Sequence, residues 1–136
     1  TISTFGGNPV SCTAANATID VIQRDELDRN SEEMGQVLRN GLEKIQEKYP
    51  KVIGDVRGMG LMQGIELVVD ETKKDRTPNP GAANQLMEET KLRGLLIGRG
   101  GLYANTMRIS PPLNITRNEV EEAIEILDES FGDVEA

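Results

Sequence analysis

The chain has 136 residues and a mass of 14.9 kDa, enough for one ordinary domain or a portion of a larger protein, able to bury roughly two-thirds of its unfolded surface. Lys+Arg 15 against Asp+Glu 23 leave a formal charge of -8, and the basic residues are dispersed, which excludes a sequence-independent grip on nucleic acid phosphates. No apolar run reaches the ~18 residues of a membrane span, the lone Cys12 leaves no internal disulfide or Cys-based zinc site, and the absence of histidine removes Ser-His, Cys-His and HExxH chemistry.

The chain opens without methionine and without a signal-peptide pattern, inside a glycine-rich turn, and so reads as a segment of a longer protein. Asn8-Pro9 predicts a helix entry, because Asn accepts from orphan N–H groups and Pro is pre-set for the first helical position. The helix from Pro9 to about Ile22 is rich in small residues (Ser11, Cys12, Ala14, Ala15, Ala17), which suit close packing against a larger body. After Gln23-Arg24-Asp25 the composition changes, and Leu27, Met34, Val37, Leu38, Leu42 and Ile45 keep one apolar helical face to about Lys48, before Pro50. Val52 to Arg57 and Leu61 to Val68 read as an antiparallel strand pair around Gly58-Met59-Gly60. The stretch 70–81, DETKKDRTPNPG, reads as a solvated surface loop.

A third helix is expected from about Ala82 to Arg93, with Gly94 closing it in the left-handed conformation. Leu95 to Gly98 is expected as a strand, Arg99 to Thr106 as a loop, and Met107 to Ser110 as a strand ended by Pro111-Pro112. In the last helix Thr116 and Glu119 form a capping box, Ile115 and Val120 suit a hydrophobic staple, and Val120, Ala123, Ile124, Leu127 and Phe131 make the buried face. The order predicts an α+β layer, a small and mostly antiparallel sheet covered on one face by helices.

Few residues offer chemistry. Gly58-x-Gly60-x-x-x-Gly64 departs from a dinucleotide fingerprint, lying between two strands with one residue too many before the third glycine. Gly98-Arg99-Gly100-Gly101 admits an anion cradle or, more simply, glycines joining a strand to a loop. The six lysines, Lys44, Lys48, Lys51, Lys73, Lys74 and Lys91, all fall in charged helix faces or loops, unlike a desolvated nucleophile. Two features remain. Ser3-Thr4-Phe5-Gly6-Gly7-Asn8-Pro9 places two hydroxyls and a diglycine turn ahead of a helix N-terminus, either an anion site or a turn with an ordinary cap. Arg108, between Met107 and Ile109 near the two prolines, suits bidentate recognition of a carboxylate; an exposed strand arginine or a structural salt bridge is the simpler alternative.

At these points the sequence resembles the C-terminal portion of a class III (fold type I) pyridoxal-phosphate-dependent aminotransferase. STFGGNPVSCTAANATIDVI (residues 3–22) is similar to the segment that follows the cofactor lysine in that family. VIGDVRGMGLMQGIELV (52–68) resembles its small-domain strand pair, and GLLIGRGGLYANTMRISPPLNIT (94–116) its final strand region. The wording is most similar to the alanine-glyoxylate aminotransferase branch, a subgroup that also holds phospho-lyases.

The resemblance implies that residues 1–25 are the tail of the large cofactor domain with a connecting helix, and that residues 26–136 are the small C-terminal domain. It implies that Thr4, with Ser3 beside it, binds the phosphate of pyridoxal 5'-phosphate across a homodimer interface. It further implies that Arg108 holds the substrate carboxylate and that Arg57 is structural. The cofactor lysine is then expected upstream of Thr1, so that this chain holds no catalytic residue, no metal, and is inactive alone. The implied partners are the rest of its own chain, a second copy, and amino acid and 2-oxo acid substrates, with no nucleic acid or membrane. The compartment implied is cytoplasmic, or mitochondrial for a eukaryotic source. Two alternatives stay open: a non-catalytic α+β regulatory or ligand-binding module, and, within the family, an amine phospho-lyase.

Overall fold

The computed structural model describes residue 4 and residues 6–135; Ser3 lies outside the described residues. Helix α1 spans Pro9–Arg24, entered as expected: the Asn8 side chain accepts from the Ser11 N–H at 2.9 Å and Pro9 takes the first helical position. None of its residues is buried. The chain then bends at Glu26, whose φ of 48° is left-handed, into helix α2, Leu27–Lys48.

Met34, Leu38, Leu42 and Ile45 form the buried stripe of α2, as their spacing dictates. They pack on one face of a five-stranded sheet: β1 (Ile53–Met59), β2 (Met62–Asp70), β3 (Asp75–Pro78), β4 (Gly98–Gly100) and β5 (Thr106–Ile109). The order is β1-β2-β5-β4, β3 pairs with β2, and every pairing is antiparallel. Helices α3 (Pro80–Leu92) and α4 (Arg117–Glu135) complete the layer, and Leu86, Leu127 and Phe131 have no exposed surface. The Tyr49 ring stacks on Phe131 at 5.9 Å and its hydroxyl donates to the Asp128 carbonyl, so the polar tip is satisfied at the margin of the core. The α+β layer expected from the sequence is the fold observed.

Two glycines let α2 approach its neighbours. A Cβ at Gly35 would lie 2.3 Å from the carbonyl carbon of Gly60, and one at Gly41 2.3 Å from Ile124 Cδ1. The helix therefore seats directly on the β1–β2 turn, where Gly60 adopts φ 52°, and on α4. Gly94 takes φ 89° after α3, and the Thr116–Glu119 capping box is present, with the Thr116 N–H donating to Glu119 Oε2 at 2.8 Å.

Three expectations need correction. The stretch 70–81 is exposed over most of its length, yet it contains a 3-10 turn at Glu71–Lys73 and the short strand β3, because the carboxylate of Asp70 is turned inward and held by Thr72 and Lys73. The strand expected at Leu95–Gly98 lies instead at Gly98–Gly100: Leu96 is exposed, and it is Gly98, Arg99 and Gly100 that meet β5 in register. β1 continues through Gly58 and Met59, so the hairpin turn is Gly60-Leu61.

Candidate functional site

With α2, α3 and α4 on one face of the sheet, the other face is open and its residues follow from the register. Arg57 pairs with Gly64, Gly64 with Arg108, and Arg108 with Gly98, so one row crosses β1, β2, β5 and β4 as Arg-Gly-Arg-Gly. Alternation puts Asp55, Glu66 and Thr106 on the same face, since side chains two apart share a side.

The two arginines differ in partners. Arg57 Nη1 reaches Asp55 Oδ2 at 2.7 Å and Glu66 Oε2 at 2.6 Å. Hydrogen bonds donated first to Asp55 and then to Glu66 raise the guanidinium above its ordinary range and fix it as a cation with two anions, in keeping with a structural role. Arg108 is exposed and, among the described residues, has neither an acidic partner nor a side-chain hydrogen bond. Every other arginine is engaged: eight are held by acids or, for Arg99, by Asn84. Of the two simpler readings of Arg108, the structural salt bridge is not formed with any described residue, whereas an exposed strand arginine is what β5 presents.

A cavity of about 560 Å³ opens beside Arg108, between Leu95–Gly98 and Ile109–Pro112, floored by Leu38 and Val120. Its walls are mostly apolar, and Arg108 is the one basic residue among the described residues on its lining. A carboxylate entering there would meet the planar fork of the Arg108 guanidinium, whose donors are not taken by any described acid. Glu119 also lines the cavity, but its carboxylate is committed to the Thr116 cap, which lowers its pKa.

Thr4 lies in an exposed bend ahead of Gly6 and Gly7, and neither the turn nor α1 lines the Arg108 cavity. The sequence-predicted residues thus occupy two separate places in this structure. The α1 N-terminus is largely capped, since Pro9 has no N–H, the Ser11 N–H is taken by the Asn8 side chain and the Cys12 N–H by the Asn8 carbonyl. An anion at the turn would therefore rely on the Thr4 hydroxyl and on open backbone. Gly7, at φ 80° with nothing within 4 Å of a Cβ position, leaves such room. Sequence reasoning missed the Asp55–Arg57–Glu66 cluster and, although it singled out Gly98-Arg99-Gly100-Gly101, the placement of Gly98 and Gly100 beside Arg108. The first was readable in the alternation of β1 and β2; the second depended on a strand register that short glycine segments do not announce.

Solved structures with this architecture are transaminase-type enzymes of fold type I. A Bacillus anthracis aminotransferase superposes with a TM-score of 0.85 at 35% identity, over 98% of this chain and 30% of that one. A phospholyase from Arthrobacter in complex with phosphoethanolamine gives 0.85 at 32%, over 97% and 31%. The family model for class-III aminotransferases matches residues 2–131, and the chain belongs to that family, whose members use pyridoxal phosphate. Among curated relatives, the mitochondrial alanine–glyoxylate aminotransferase 2 homolog 2 of Arabidopsis thaliana is 42% identical over 130 residues, 96% of this chain and 27% of its own length. The chain thus spans about a quarter of such a relative.

A phosphate at the turn would meet the exposed Thr4 hydroxyl and the open backbone at Gly7, whereas all six lysines are exposed and none lines the Arg108 cavity. No helix among the described residues is long and apolar enough to cross a membrane.

Proposed function

We propose that this chain is the C-terminal part of a pyridoxal-phosphate-dependent aminotransferase that moves an amino group from an amino acid to a 2-oxo acid. Alanine and glyoxylate are the favoured pair, and residues 1–25 belong to the large domain while 26–136 form the small one. The observation that carries this reading is Arg108, the unpartnered cation at the edge of an apolar cavity in a chain of this family.

Each residue then has a separate task. Arg108 grips the carboxylate shared by amino and 2-oxo acids and so fixes the direction of Cα–H, lowering the entropic cost of reaching the reacting geometry. Thr4, with Ser3, donates to the cofactor phosphate across a homodimer interface. The apolar walls beside Arg108 exclude water and strengthen its electrostatic grip. Pyridoxal phosphate, when bound, supplies the electron sink that makes the Cα–H acidic and carries the amino group. The lysine that holds it lies outside this chain in our reading, so the chain alone is inactive. The name of the Arabidopsis relative supports the alanine–glyoxylate pair and a mitochondrial compartment for a eukaryotic source; a bacterial source would place the protein in the cytoplasm.

A second reading, elimination of phosphate from a phosphorylated amine, is favoured by the likeness to the Arthrobacter phospholyase. Full-length protein assayed with alanine plus glyoxylate, and separately with phosphoethanolamine, distinguishes the two. Glycine and pyruvate formation is expected; phosphate release without amino transfer would replace the first reading by the second. A full-length protein inert to amino acids and amines, with no cofactor absorbance, would return the chain to a ligand-binding module.

A further inference from the structure

Arg108 does not stand upright on the sheet. It lies over β4: a Cβ built on Gly100 would be 3.2 Å from Arg108 Nε and 3.3 Å from Cδ, and one on Gly98 3.3 Å from Nη2. On its other side, the three atoms nearest a Cβ at Gly64 would be Arg57 O, Thr106 Cγ2 and Met107 O at 3.7–3.8 Å, none of them from Arg108. The arginine therefore leans away from β2 and rests on the two glycines that share its face. Neither Gly98 nor Gly100 has a positive φ, so backbone conformation does not demand glycine at either position. Two glycines in a three-residue edge strand weaken it. What they provide is a bare strip of backbone two residues long, and the guanidinium fills it. Arg99, between them, points to the opposite side, where it bonds Asn84 of α3 and fixes the strand from behind.

We propose that Gly98 and Gly100 are positioning residues for Arg108, holding its guanidinium flat along β4 so that its fork of donors faces a bound carboxylate. The proposal rests on the reading of Arg108 as the carboxylate anchor. Any side chain at 98 or 100 would occupy the strip, lift the guanidinium and cost it the alignment for two parallel bonds, without touching the core.

The test uses full-length holoenzyme carrying Gly98→Ala, Gly100→Ala or both, beside Arg108→Lys. Arg108 is exposed and can yield by the few tenths of an ångström that each methyl needs, so the variants should fold, and their thermal midpoints should not fall. For the double variant we expect KM for alanine to rise roughly tenfold, as for loss of one charge-assisted bond, with kcat held and cofactor absorbance unchanged. The inhibition constant of propionate, which keeps the carboxylate and lacks the amino group, should rise in parallel. Unchanged KM and propionate inhibition in the glycine variants, while Arg108→Lys raises both, would overturn the proposal and leave the anchor standing. An unaltered Arg108→Lys enzyme would overturn the anchor and the proposal with it. A fall in kcat at constant KM would also overturn the proposal, because the methyls would then be acting elsewhere than on carboxylate binding.

Discussion

Arg57 and Arg108 flank the same glycine on the same sheet face, and their surroundings give them opposite tasks. Arg57 holds together two carboxylates that would otherwise repel, whereas Arg108 has no acidic partner among the described residues. In the full-length protein, Arg108→Lys should raise KM for amino and oxo acids by roughly 10–100-fold, since an ammonium cannot reproduce the guanidinium fork. It should leave the cofactor bound. Thr4→Val should do the reverse, weakening cofactor retention by about tenfold or more through loss of a hydrogen bond to a charged group. Steady-state kinetics and cofactor dissociation measured on both variants would show whether the defects separate; a Thr4→Val enzyme with undiminished retention would make the turn a helix entry and nothing more. Arg108 stood out in the sequence because a charge between two buried apolar residues, Met107 and Ile109, must face away from the core. The role of Gly98 and Gly100 did not, because it exists only once β4 has met β5 in register.

Local chemistry decides the elements with equal sharpness. The Thr116–Glu119 box was legible because both partners lie within one turn, and Thr116→Ala should cost about 1 kcal/mol in urea unfolding. The β2–β3 corner was not legible, since its organiser is a carboxylate whose burial depends on tertiary packing. Asp70 accepts from Lys73 and Thr72, which bring its pKa from 3.8 down to about 2. Between those values the unfolded chain binds more protons than the folded one, so stability rises with pH across that window. The contribution is complete above the ordinary carboxyl range and is lost as pH falls through about 2. Asp70→Asn should flatten the dependence of stability on pH in this interval; parallel curves for variant and native chain would show that the corner is held by other means. At Gly35 the usual ranking of helix formers inverts. Alanine there would stabilise an exposed helix by ~1 kcal/mol, but against Gly60 it should destabilise by ~1–3 kcal/mol through overpacking.

Over the whole molecule, α1 stands apart from a core that every other helix enters. Its 16 residues bury none of their own number, and Val10 and Ile19 are at least half exposed. A helix of this length is marginal in water without tertiary support. Backbone amides from Ala14 to Ile19 should therefore exchange far faster in the isolated chain than that of Ile124 on α4. Comparable protection would argue against assigning residues 1–25 to a separate body. The change of composition at Gln23 to Asp25 coincides with the end of α1 at Arg24 and the bend into α2, and it was legible because small residues give way there to an apolar face at helical spacing. What composition did not reveal is the device that joins the layers, the bare contact of Gly35 with Gly60. A methyl at Gly35 would need the hairpin turn to retreat by about 1 Å to regain an ordinary carbon–carbon separation. That turn feeds β2, and β2 carries Gly64 between the two arginines. A substitution on the helical side should thus be felt on the opposite side of the sheet, coupling the tolerance of position 35 to the geometry around position 108 although their side chains never meet.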